Sequence, residues 1–161
     1  MTQEEKNLNN LLLKDLCARL PYGVKCKMGN YDYIICDISL ERQYDVFYNS
    51  RRDFPIGVIG TEDNGNTFYT SVYEKHVKPY LFPLSSMTEE QKYDFYCRFI
   101  ENDCDFNDFK EFYFENNEWH KMLTSIDDIE EIIDWFNKNH FDYRCLIPKG
   151  LAIDATDKNI Y

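Results

Sequence analysis

The run from Thr124 to Ala152, TSIDDIEEIIDWFNKNHFDYRCLIPKGLA, constrains the fold of this chain more than any other stretch. Ser125 stands at an N-cap position, and Asp128 follows three residues later, where a capping box carries Glu or Gln. Ile126, Ile129, Ile132, Ile133 and Phe136 recur at helical spacing, with Asp127, Asp128, Glu130, Glu131 and Asp134 on the other face. Such a stripe has to be buried against another element. The acids crowd the first turns and Lys138 lies near the end, the arrangement the helix dipole favours.

The core around that helix is expected to be aromatic, because the chain holds 13 Tyr and 12 Phe and is 43% hydrophobic, too apolar for a disordered acidic tail. A chain of 161 residues buries roughly two-thirds of its unfolded surface, so it needs no metal or disulfide staple. We read residues 1–161 as a single domain in three parts: a helix over 1–22, a β-rich part over 23–76 and a mainly helical part over 77–161. Lys and Arg number 18 against 29 Asp and Glu, a formal charge of -11. That field repels phosphate backbones and anionic membranes, so neither nonspecific nucleic-acid binding nor membrane association is expected, whereas basic partners are attracted. The six cysteines (Cys17, Cys26, Cys36, Cys97, Cys104 and Cys145) show no metal-knuckle spacing, and no cofactor or metal is expected. The opening MTQEEKNLNN lacks the basic flank and apolar core of a signal peptide, and no run reaches membrane-spanning length. The expected location is cytoplasmic, with reduced thiols.

Thr2 and Glu5 form a capping box for a first helix whose Leu8, Leu11, Leu12, Leu16 and Leu20 share one stripe, stopped by Pro21 and Gly23. Gly29-Asn30 is a two-residue hairpin turn that sets Met28 beside Tyr31, Cys26 beside Tyr33 and Lys27 beside Asp32. Ile34, Cys36 and Ile38 make the second face of that strand apolar as well, which predicts cover on both sides. Asn64-Gly65 predicts another tight turn, pairing Thr61 with Phe68 and Gly60 with Tyr69. Between the hairpins lie a short strand, YDVFYN, and a charged loop at Arg51-Arg52-Asp53. Five strands in this span point to a bent antiparallel sheet or small SH3-like barrel. Thr88 and Gln91 cap a helix carrying Tyr93, Tyr96, Phe99 and Ile100. For DFKEFYFENNEWHKM the pattern leans to a strand pair or irregular segment. The fold class is therefore α+β, with a helical C-terminal half packed on the sheet.

Three blocks, LLLKDLCARLPYGVK at 11–25, VKPYLFPLSSMTEEQK at 77–92 and IIDWFNKNHFDYRCLIPKGLAI at 132–153, resemble an uncharacterised protein family of gut Bacteroidota and their phages. The resemblance implies a mobile-element setting and brings no activity, cofactor or site with it. Its sequences carry Gly where this chain has Cys145, which argues against a nucleophilic role for that thiol.

The candidate site residues fall into two groups. His140, Asp142, Tyr143, Arg144 and Lys149 form a polar knot with two readings: a helix cap in which Asp142 pairs with Arg144, or a small anion or proton-transfer site. Tyr33 and Tyr69 on the sheet, with Arg51 and Arg52 nearby, offer an aromatic face flanked by arginine that suits a base or a peptide. No Walker loop, GxGxxG, HExxH or nucleophile elbow is present. The leading expectation is a non-enzymatic acidic binding or accessory protein of a phage or mobile element, acting on a host or phage protein. The alternative is a small-ligand binder that sequesters an anionic, nucleotide-type molecule, and a hydrolase built around His140 ranks third. Oligomeric state stays open at this level.

Overall fold

In a computed structural model, residues 2–38, 42–45, 50–53, 56–61, 67–72, 76–100, 105–115 and 129–161 are described. The chain is a mixed α+β protein that divides into two compact units, Met1–Leu81 with Arg144–Tyr161, and Phe82–Tyr143.

In the first unit, α1 (Gln3–Arg19) opens with the expected reciprocal capping box between Thr2 and Glu5. It ends in a 3₁₀ turn over Leu20–Tyr22, closed by Gly23 in the left-handed region, where a Cβ would be strained. The strands are β1 (Lys25–Met28), β2 (Tyr31–Ile38), β3 (Arg42–Asp45), β4 (Ser50–Asp53), β5 (Ile56–Thr61), β6 (Thr67–Val72), β7 (Lys78–Leu81) and β8 (Ile153–Asp154). Four of them form an antiparallel run, β6-β5-β2-β1, which β7 and the short parallel β8 extend. This six-stranded order differs from the five-stranded bent antiparallel sheet or small SH3-like barrel expected. β3 and β4 pair only with each other, and among the described residues no ladder joins β6 to β8. The predicted loop at Arg51-Arg52-Asp53 is strand β4, and residues 46–49 of YDVFYN lie outside the described residues.

The first hairpin has the predicted register, Met28 opposite Tyr31 and Cys26 opposite Tyr33, with Gly29 at φ +62° in the turn. In the second hairpin Gly60 pairs with Phe68 and Ile59 with Tyr69. A two-residue turn at Asn64-Gly65 would have paired Thr61 with Phe68; Thr61 instead pairs with Thr67, and that one-residue slip moves each side chain of one strand to face a new partner. Residues 62–66 themselves lie outside the described residues.

One face of the sheet meets Leu12 and Leu16 of α1, burying Val24, Cys26, Tyr33, Ile35 and Leu81. The other is not covered as the sequence suggested, for Ile34 is 44% exposed. Its apolar character was a poor guide to burial. The five described cysteines (Cys17, Cys26, Cys36, Cys97 and Cys145) are free thiols, and Cys104 lies outside the described residues.

The second unit contains α2 (Glu89–Phe99), α3 (Phe106–Lys110) running into a π-helical turn (Glu111–Glu115), and α4 (Ile129–Lys138). Thr88 and Gln91 form the capping box as read. Phe109 and Tyr113 are therefore helical, not part of a strand pair. The reason lies in packing: Phe109 faces the rings of Phe95 and Tyr96, and only a helical turn brings Phe109 and Tyr113 into contact with each other. On α2 the central core side chain is Phe95, fully buried, whereas Tyr93 is 55% exposed. On α4 the buried face is Ile132, Trp135 and Phe136; Ile129 is 37% exposed, and Ser125 to Asp128 lie outside the described residues.

Candidate functional site

The polar knot is first of all a helix terminus. His140 takes φ +58° and its N–H reaches the Asn137 carbonyl at 3.2 Å, while the Phe141 N–H reaches the Phe136 carbonyl at 2.9 Å. Those two bonds, around a left-handed residue, are the Schellman closure of α4. After it the backbone is stitched to Phe82: the Phe82 N–H donates to the His140 carbonyl and the Asp142 N–H to the Phe82 carbonyl, at 2.9 and 2.8 Å. His140, Asp142 and Tyr143 are all buried, and the Tyr143 ring stacks on Phe136 at 5.6 Å.

Between Tyr143 and Arg144 the chain passes from one unit to the other, so the five knot residues do not belong to one body. In the sheet unit, Arg144 Nη1 lies 3.8 Å from Asp15 Oδ1. Asp15 and Arg19 form a fully buried, two-pronged ion pair, with Nε–Oδ2 at 2.7 Å and Nη2–Oδ1 at 3.1 Å. Arg144 thus brings a second guanidinium, after that of Arg19, towards a carboxylate from α1 that lies far from it in the sequence. Lys149 is exposed, and its ammonium donates to the carbonyls of Arg144 and Cys145 at 3.2 and 2.9 Å, tying off the turn.

The second predicted group is divided by the sheet itself. Tyr33 pairs with Gly60 and Gly60 with Phe68, whereas Ile34 pairs with Ile59 and Ile59 with Tyr69. Neighbours in register share a face and successive residues alternate, so Tyr33 and Tyr69 point to opposite faces. Tyr33 belongs to the core, where burial raises the pKa of its hydroxyl; Tyr69 is 61% exposed. Arg51 and Arg52 sit in β4 opposite Tyr44 and Gln43, in the separate hairpin.

What the sheet does assemble is an outer face that sequence reasoning missed. Its first row runs Tyr69, Ile59, Ile34, Lys25 across β6, β5, β2 and β1. Its second holds Asp32, Lys27 and Lys78 across β2, β1 and β7. The β7 end of this face is capped by the chain's tail. There the Tyr161 hydroxyl donates to the Tyr80 carbonyl and accepts from the Lys25 N–H, both at 3.0 Å. The Lys25 ammonium meets the Ile160 carbonyl and lies 5.6 Å from the centre of the Tyr161 ring. Tyr80, on the same face as Lys78, donates to Asp32 Oδ1 at 2.6 Å; burial and that carboxylate push its hydroxyl up to about 12. Beyond the tail the face is open, with Ile34, Ile59 and Tyr69 side by side and exposed. The visible signal was the alternation in YDYIICDI, but without the register of the second hairpin it could not be joined to Tyr69.

In the helical unit an open groove of about 620 Å³ has Phe99 and Trp135 at its floor, with Arg98, Lys138, Glu130, Glu131 and Asp134 on its rim. Both signs of charge are interspersed there, as on an ordinary solvated surface. Among the described residues no three His, Cys, Asp or Glu side chains are placed to hold a metal ion, and no helix is long and apolar enough to cross a membrane. Comparison with protein-family models, curated proteins and solved structures returns no match.

Proposed function

We propose that this is a non-enzymatic binding protein of a phage or mobile element, working in the cytoplasm on a host or phage protein through the open part of its outer sheet face. The observation that carries the reading is the row Ile34, Ile59, Tyr69, three large side chains 44%, 39% and 61% exposed on adjacent strands. Contiguous exposed apolar groups are unfavourable in water unless something covers them, and a Tyr among aliphatics is the composition of an interface centre. The burial of His140, Asp142 and Tyr143 weighs against catalysis at the knot, since a reacting group must reach its substrate. The mobile-element setting comes from the resemblance of the three sequence blocks.

The test is affinity capture from host lysate with wild type, Ile59→Lys and Tyr69→Ala, each first checked for an unchanged circular dichroism spectrum and melting temperature. Loss of the same captured protein in both variants is expected. Identical capture by all three would remove this face from the function.

A further inference from the structure

The open face also carries a charge pattern at odds with the rest of the chain. The charged residues described on this face of β1, β2 and β7 are Lys25, Lys27, Lys78, Asp32 and, past the bulge at Cys36, Asp37, three cations and two anions in a protein whose net charge is -11. Lys27 and Lys78 are directly opposite each other on antiparallel strands. Like charges in that position repel, and sequences ordinarily avoid them. Asp32 flanks Lys27 on its other side, but its Oδ1 already accepts the Tyr80 hydroxyl. Lys25 is turned to the tail, bonded to the Ile160 carbonyl. Among the described residues neither Lys27 nor Lys78 has a carboxylate within 4.0 Å.

From this arrangement we infer that the face binds an acidic protein segment bearing apolar side chains, laid across the strands with its apolar groups on Ile34, Ile59 and Tyr69 and its carboxylates at Lys27 and Lys78. The inference rests on the binding function proposed above and names the class of partner. From β6 to β7 the face crosses four strand spacings of about 4.8 Å, roughly 19 Å, which about six extended residues span. Short carboxylates between the two lysines relieve their repulsion, and the apolar row supplies the area that surface ion pairs lack. A nucleic acid fits less well. Two of the three large exposed groups in the row are aliphatic, leaving Tyr69 as its lone stacking surface.

The experiment is selection from a displayed random-peptide library on the full-length protein, repeated on Lys27→Glu/Lys78→Glu and on Ile59→Lys, with fluorescence anisotropy of the enriched peptides and of a labelled oligo(dT). The expected result is enrichment of peptides combining Asp or Glu with large apolar residues. Their affinity should fall at least tenfold in each variant and weaken as salt is raised, with no comparable binding of oligo(dT). Neutral apolar peptides that are lost in Ile59→Lys but kept by the double lysine variant would overturn the acidic partner while leaving the binding face intact. Peptides insensitive to both variants would overturn the face as well. Tighter binding of oligo(dT), or a dimer of this chain broken by the same substitutions, would replace the peptide with that other occupant.

Discussion

In the sheet unit one helix lays Leu12 and Leu16 on Val24, Cys26 and Ile35, whereas in the helical unit the single ring of Phe95 meets Phe99, Phe109, Phe114, Trp135 and Phe136. The first core is spread over many aliphatic contacts and reinforced by a ladder of strand pairs. The second joins helices of 11, 5 and 10 residues, lengths at which an isolated helix is marginal in water. Its order depends on tertiary contacts, and many of those converge on one side chain. Phe95→Ala should therefore cost about 3–5 kcal/mol, with faster hydrogen exchange across α2 and α4. Leu16→Ala, equally buried in the sheet unit, should cost less, nearer the lower end of the roughly 2–5 kcal/mol range for such truncations. Denaturant titrations giving the reverse order would break the contrast between a concentrated and a distributed core.

Polar burial separates the units in a second way. The fully buried pair Asp15–Arg19 has no charged counterpart of equal burial among the described residues of the helical unit, where Lys92–Glu89, Arg98–Asp94 and Lys110–Glu89 are at the surface. Asp15→Asn leaves the Arg19 guanidinium buried beside a neutral amide and should cost about 3 kcal/mol or more by chemical denaturation. Replacing both partners, as in Asp15→Leu with Arg19→Met, should recover much of that loss, because no fully buried charge is then left without its counterion and Arg144 keeps access to solvent. Glu89→Ala should leave the denaturation midpoint almost unchanged, as exposed pairs do. If the double variant proves no better than Asp15→Asn, the pair matters for shape rather than charge.

How far the fold was legible follows the same division. Capping boxes at Thr2 and Thr88, the stripe of α1 and the first hairpin register were readable because each is fixed by residues three or four apart, or by a two-residue turn. The aromatic hub was not. Tyr93, Tyr96 and Phe95 are all large and apolar enough to face a core, and only the positions of α3 and α4 decide that Phe95 does. The same limit applied to the candidate site. A motif offers only sequence proximity, which suggests Asp142 for Arg144; Asp15, far along the chain, is a carboxylate beside Arg144 that no motif could show. Tyr33 and Tyr69 read as one aromatic face because both lie on the sheet; the registers that put them on opposite faces are set by pairings between distant segments.

The largest shifts in the sheet unit lie at the alkaline end of the pH scale, although Glu5 at the start of α1 is held below its usual value by its bond to the Thr2 backbone. In the sheet unit burial pushes the Cys26 thiol up to about 12, and burial with the Asp32 hydrogen bond pushes Tyr80 up to about 12. Below about pH 9 both groups keep their protons folded or unfolded, so their contribution is fully present. As pH rises from the unfolded values of 9.0 and 10.0 towards about 12, the unfolded chain releases protons first and stability is lost. In the helical unit the shifts run the other way. Lys92 and Lys110 hold Glu89 below its usual value, and Arg98 chiefly holds Asp94 down. Their small contribution is present above pH 4.5 and 3.8 and fades as pH falls through the depressed values. Exchange of β1 and β2 amides, followed by mass spectrometry against pH and corrected for intrinsic rates, should show protection lost on the alkaline side and be much reduced in Cys26→Ala. Equal alkaline sensitivity with Cys26 and Tyr80 each replaced would assign the effect elsewhere.

The smallest expected effect compares the two left-handed residues that are not glycine among the described residues, one in each unit: Cys145 at φ +56° and His140 at φ +58°. Each pays for its Cβ, about 1 kcal/mol, in a backbone region that glycine enters freely. Their side chains differ in what they return. His140 is only 8% exposed and sits in the Schellman closure of α4, so His140→Gly gives up packing along with strain and should be neutral or destabilising. Cys145 is half-buried, and its thiol holds no disulfide. Cys145→Gly should therefore stabilise the protein, by about 0.5 kcal/mol, since the added freedom of glycine in the unfolded chain takes back part of the gain. A midpoint shift to higher denaturant for Cys145→Gly, with none for His140→Gly, is the expected pair of results. A destabilised Cys145→Gly would mean that the thiol's own contacts outweigh the backbone cost, and would make that cysteine a structural residue of the sheet unit in its own right.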